Sequence, residues 1–86
     1  MPELRLTRRA RQDLETLPAE IREAVLDALA DIEIDPESAG KALIGALRGL
    51  WSARVGNYRV LDTIEAEGVI VRAVRHRAVA YPRSRP

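Results

Sequence analysis

No cysteine occurs in the 86 residues, so neither a disulfide nor a thiolate-held metal can brace this chain. Histidine is almost as scarce. His76 stands alone, with no thiolate to join it, and the ligand set of a zinc centre is missing. The chain opens Met1-Pro2-Glu3-Leu4-Arg5 and holds no apolar run of signal-peptide or membrane-span length. A cytoplasmic protein with no membrane partner is therefore expected. Lysine is nearly absent too: Lys41 is one of 14 basic residues, and the rest are arginine.

The net charge of +1 conceals an asymmetry. Residues 1–47 carry six bases against ten acids, a net of −4, whereas residues 48–86 carry eight arginines against Asp62, Glu65 and Glu67, a net of +5. Such polarity between halves points to a polyanionic partner. The planar guanidinium fork also matches phosphate geometry. Arginine-biased codon usage accounts for the same composition equally well, so composition alone decides nothing.

A chain of this length has room for one domain, residues 1–86, with residues 82–86 a frayed tail containing two prolines. Glu3 to Thr7 alternates polar and apolar residues and is expected to form a short strand. Thr7 is placed to cap a helix running to Leu14 or Leu17, with Ala10, Leu14 and Leu17 on one face. Pro18 separates it from a second helix over residues 19–34, because proline suits a helix start and disrupts an interior. Ile21, Val25, Ala28, Leu29 and Ile32 recur at helical spacing, and Glu20, Glu23, Asp27 and Asp31 form the solvated side. Residues 35–40 read as a linker. Beyond it the texture is that of strands, at residues 50–55, 58–65 and 69–74, joined by short turns. The fold class expected is α+β: an N-terminal helical hairpin on a small, mainly antiparallel sheet, in the order β-α-α-β-β-β, the first strand joining at an edge.

Period-two alternation over residues 58–65 puts Tyr58, Val60, Asp62 and Ile64 on one face and Arg59, Leu61 and Thr63 on the other. Arg59 is then a charge in mid-sheet, which needs a carboxylate, a solvent-filled cleft or an anionic ligand. Few acids lie nearby in sequence, which favours the cleft. Arg54 on the preceding strand and Arg75, His76 and Arg77 at the end of the last strand are the groups placed to converge on the same cleft. Ordinary exposed sheet arginines remain the alternative.

These residues also carry a resemblance. Gly49-Leu50-Trp51-Ser52-Ala53-Arg54-Val55-Gly56-Asn57-Tyr58-Arg59-Val60 resembles the central hairpin of the RelE/ParE superfamily of bacterial toxins. Val74-Arg75-His76-Arg77-Ala78-Val79-Ala80-Tyr81 is similar to that family's closing strand. Ala10 to Pro18 resembles its "A-x-x-D-L-x-x-L-P" helix junction, and Gly40-Lys41-Ala42-Leu43 the point where the chain joins the sheet. The pieces occur in the right order over nearly the whole chain.

The resemblance implies a toxin neutralised by a small cognate antitoxin protein. RelE-like members cut messenger RNA on the ribosome; ParE-like members inhibit DNA gyrase without catalysis. The RelE-like branch is favoured here, with the gyrase inhibitor as runner-up and a degenerate toxin that binds only antitoxin and operator as a third reading. RNA cleavage by attack of the ribose 2′-OH on the adjacent phosphate needs no cofactor and no metal. It needs cations aimed at the phosphorane, a base and an acid. Matched residue by residue, the resemblance assigns Arg59 and Arg77 as catalytic arginines and Tyr81 as the C-terminal tyrosine of proton transfer or base stacking. Arg54, Arg75 and His76 are assigned to RNA or phosphate binding. The best-known RelE pattern has lysines in the first hairpin strand, where this chain has Leu50 and Ser52, so the general base is open. His76 is a substitute in chemistry, although alternation turns it away from Arg75 and Arg77. DNA is expected as a partner only through a toxin–antitoxin complex.

Overall fold

The structure, a computed structural model, describes residues 3–79. The first strand, β1 (Glu3–Leu6), turns Leu4 and Leu6 inward and Glu3 and Arg5 outward. Helix α1 (Arg8–Glu15) begins where Thr7 takes an extended backbone and its Oγ1 accepts the Ala10 N–H at 3.1 Å. A cap of this kind contributes about 1 kcal/mol. The carbonyls at the far end of α1 are satisfied from outside the helix. The Arg22 guanidinium donates to the carbonyls of Leu14 and Leu17 at 3.2 and 3.0 Å, and to that of Glu15 at 3.4 Å. Arg22 belongs to α2 (Ala19–Ile34), whose buried residues Val25, Leu29 and Ile32 follow the expected spacing. The acids Glu20, Glu23, Asp27 and Asp31 are all exposed.

The segment expected as a linker is partly helical. Asp35 accepts the Ser38 N–H at 3.3 Å, and Pro36 opens a single turn, α3 (Pro36–Ala39). Aspartate followed by proline starts a helix as readily as it starts a turn, which explains the difference. A two-residue strand, β2 (Lys41–Ala42), and a 3₁₀ turn at Gly45–Leu47 precede the longer strands β3 (Trp51–Val55), β4 (Tyr58–Glu65) and β5 (Gly68–His76).

The sheet runs β1-β5-β4-β3-β2, with β1 parallel to β5 and the other pairs antiparallel. β1 lies at an edge, as expected, and β2 forms the other. The core is the face that carries Ala53, Val60, Val69, Val71 and Val74, covered by Ala10, Leu14, Leu17, Val25, Leu29 and Ile32. Each of these residues is less than a tenth exposed.

β1 stops at Leu6, opposite Val71, so the next backbone groups of β5 have no strand beside them. The start of α1 takes over. The Thr7 N–H donates to the Val71 carbonyl and its hydroxyl to the Arg72 carbonyl, both at 3.0 Å, and Asp13 Oδ2 accepts the Val74 N–H at 3.0 Å. At the other end, Gly68 has φ +151°, and a Cβ there would overlap the Glu3 backbone. Only glycine lets β1 run this close. Among the described residues, no helix is long and apolar enough to cross a membrane.

Candidate functional site

Residues directly opposite one another across a sheet present their side chains to the same face. Arg54 on β3 is opposite Arg59 on β4, and Arg59 is opposite Arg75 on β5. Three guanidinium groups therefore form one row across the sheet, on the face away from the helices. The next row is Ser52, Leu61 and Ala73, each less than a tenth exposed yet outside the helix-covered core. The arginines thus stand beside a floor of low polarity, where charge interactions are stronger than in open water.

The electrostatics of this row are unbalanced. Arg59 is half-buried, and its Nη1 is buried with no hydrogen-bond partner among the described residues. Arg54 donates from Nε to the Gly56 carbonyl at 3.4 Å, a contact within its own turn. Among the described residues, no carboxylate lies within ion-pair distance of Arg54, Arg59 or Arg75. The acid nearest in sequence, Asp62, is on the opposite face, where it pairs across the sheet with Trp51 and Val71. Like charges directly opposite destabilise a sheet, and nothing described in the chain neutralises these. An anionic ligand would.

Asp62 itself is a feature that sequence reasoning missed. It is 1% exposed, its Oδ1 has no partner among the described residues, and burial raises its pKa from 3.8 to about 6. Alternation with Val60 was the available signal, since it places a carboxylate on the core face.

The remaining candidates are distributed differently. His76 does not join the row: it lies opposite Tyr58 on the helix side, with the two rings edge to face at 5.2 Å and 80°. Its Nδ1 accepts the Ala78 N–H at 3.2 Å. Both contacts suit a structural histidine better than a phosphate ligand. Arg77 opens the 3₁₀ turn after β5, and its N–H donates to the Asn57 carbonyl at 2.7 Å, which fixes this backbone beside the β3–β4 turn. Its side chain is exposed. Tyr81 lies outside the described residues.

Comparison with known proteins agrees with this architecture. The matching family model is that of the ParE toxin of type II toxin–antitoxin systems, over residues 4–81. The chain is 42% identical over 83 residues to Toxin RelG of Mycobacterium tuberculosis, spanning 93% of this chain and 95% of that protein. Among solved structures it is similar to the toxin–antitoxin complex RelBE2 of Mycobacterium tuberculosis, at 39% identity and a TM-score of 0.80, with 88% of this chain and 99% of the other aligned. The archaeal RelE–RelB complex from Pyrococcus horikoshii shares the fold at 21% identity, with a TM-score of 0.70 over 92% and 98% of the two chains. With one family matched from the first strand to Tyr81, and the same α+β fold in RelE-type structures, this chain is a toxin of the RelE/ParE superfamily of type II toxin–antitoxin systems.

Proposed function

We propose that this toxin is an endoribonuclease that cuts messenger RNA on the ribosome in the cytoplasm and so arrests translation. The observation that carries this reading is Arg59, a half-buried guanidinium whose Nη1 is unsatisfied among the described residues, flanked by Arg54 and Arg75 on one sheet face. In the transition state, the 2′-oxygen, the phosphorus and the departing 5′-oxygen share a phosphorane that gathers negative charge. Guanidinium groups set in one row beside a poorly hydrated floor stabilise that charge. Arg59 and Arg77 are the proposed catalytic arginines, and Arg54 and Arg75 hold the flanking phosphate. Tyr81 transfers a proton or stacks on a base.

The cognate antitoxin is the second partner. An apolar groove of about 340 Å³ between the helices, lined by Leu6, Leu14 and Leu26 and bordered by Arg11, Glu15 and Arg22, suits an amphipathic segment with acidic flanks. Relatives solved as toxin–antitoxin complexes support such a partner.

A second reading, a ParE-like inhibitor of DNA gyrase without catalysis, is favoured by the family model that matches. Mapping RNA 5′ ends after brief induction, beside a gyrase supercoiling assay, separates the two. New ends within translated messages, with supercoiling intact, are expected. Intact RNA with failed supercoiling would replace the nuclease by the gyrase inhibitor.

A further inference from the structure

RNA cleavage needs a proton donor for the departing 5′-oxygen, and the arginine row is a poor source because a guanidinium holds its protons too tightly. Among the described residues, the other titratable groups near the row are turned away or engaged. His76 is on the helix side with Tyr58, Asp62 is buried on that same face, and Glu65 pairs with Arg72 at 3.7 Å. Lys41 is different. It is the chain's one lysine, it is exposed, and β2 sets it opposite Ser52.

Ser52 is two residues before Arg54 on β3 and opposite Leu61 on β4. Lys41 therefore stands at the edge of the Ser52–Leu61–Ala73 row, on the arginine face. One strand spacing and one two-residue step separate its Cα from that of Arg54, about 8 Å. A flexible four-carbon stem spans that gap, so the ammonium reaches a phosphate held by Arg54 and Arg59. Among the described residues, no carboxylate lies within ion-pair distance of Lys41.

From this juxtaposition we infer that Lys41 is the general acid of the cleavage, an inference that rests on the RNA-cutting reading above. The 2′-oxygen bonds to phosphorus and releases its proton to water. The P–O5′ bond breaks, and the Lys41 ammonium delivers a proton to O5′. The products are a 2′,3′-cyclic phosphate and a 5′-hydroxyl, and water reprotonates the amine. No redox change occurs, and no further reactant is consumed.

The test uses single-turnover cleavage of ribosome-bound messages carrying, at the cleaved position, either the natural 5′-oxygen or a bridging 5′-sulfur. A thiolate leaves without protonation. Lys41→Ala and Lys41→Arg are expected to lose about 10²- to 10⁴-fold on the oxygen linkage and to approach the parent rate on the sulfur linkage. Arg59→Ala should be slow on both. Equal losses on the two linkages, or Lys41 variants as fast as the parent on oxygen, overturn the assignment. So does a Lys41→Ala protein that cleaves normally but self-associates, because lysine on an edge strand also guards against edge pairing. A parent that cuts neither message removes the cleavage reading, and the role of Lys41 with it.

Discussion

Asp62→Asn isolates the energetic consequence of burying one carboxyl. The carboxyl is 1% exposed, with Oδ1 unpartnered among the described residues, and burial raises its pKa from 3.8 to about 6. Because the folded-state value is the higher one, its contribution to stability is fully present below about pH 4 and is lost as the pH rises through 6. A shift of this size corresponds to about 3 kcal/mol; local relaxation and water penetration reduce that to roughly 2 kcal/mol. Asparagine keeps the shape and removes the titration. Urea unfolding at pH 4, 5, 6 and 7.5 should therefore show Asp62→Asn and the parent nearly equal at pH 4. The variant should pull ahead by about 2 kcal/mol near pH 6.5 and hold that lead above it. At pH 7.5 its Tm should be higher by roughly 8–16 °C for a domain of this size. A stability gap that stays constant from pH 4 to 7.5, or that favours the parent at neutral pH, refutes the reasoning.

The backbone ties at the β1–β5 edge and at the end of α1 give further tests. Asp13→Ala leaves the Val74 N–H without its acceptor and should lower unfolding free energy by about 1–3 kcal/mol in urea titrations. Arg22→Met keeps most of the stem but abandons the α1 carbonyls, and a loss of about 1–2 kcal/mol is expected by the same measurement. Gly68→Ala forces a Cβ into the Glu3 backbone, so β1 should detach. Amide exchange at Leu6 and Thr7 should then rise sharply while β3 and β4 stay protected.

Much of this fold is written in local pattern. Pro18 and the spacing of Val25, Leu29 and Ile32 mark α2 at its observed bounds, and alternation in Tyr58–Glu65 puts Arg59 and Asp62 on opposite faces, as found. Alternation was also right to set His76 apart from Arg75. What local pattern does not hold is the β-bulge in β5. Strict alternation would place Val71 with Ala73 and Arg75 on the arginine face. The register shifts between Leu61 and Asp62, so Arg72 is the extra residue and both Val71 and Val74 enter the core. No residue in that stretch signals the shift; its support comes from Thr7 and Asp13, some 60 residues away. β2 is equally silent, because two residues have no period, and Lys41 gains its place beside Ser52 only through tertiary pairing. The alignment of Arg54, Arg59 and Arg75 was accessible in part: each strand gave the face, but only the pairing gave the row.

The central claim is that this row stabilises charge developing on a phosphate, and single-turnover cleavage by Arg59→Ala on ribosome-bound message tests it most directly. Circular dichroism and antitoxin pull-down should first establish that the variant folds and keeps its partner. With ribosomes saturating, the account predicts a rate lower by about 10²- to 10³-fold, the size expected for losing one transition-state donor. Cleavage at the parent rate by a folded, saturated Arg59→Ala protein would contradict it.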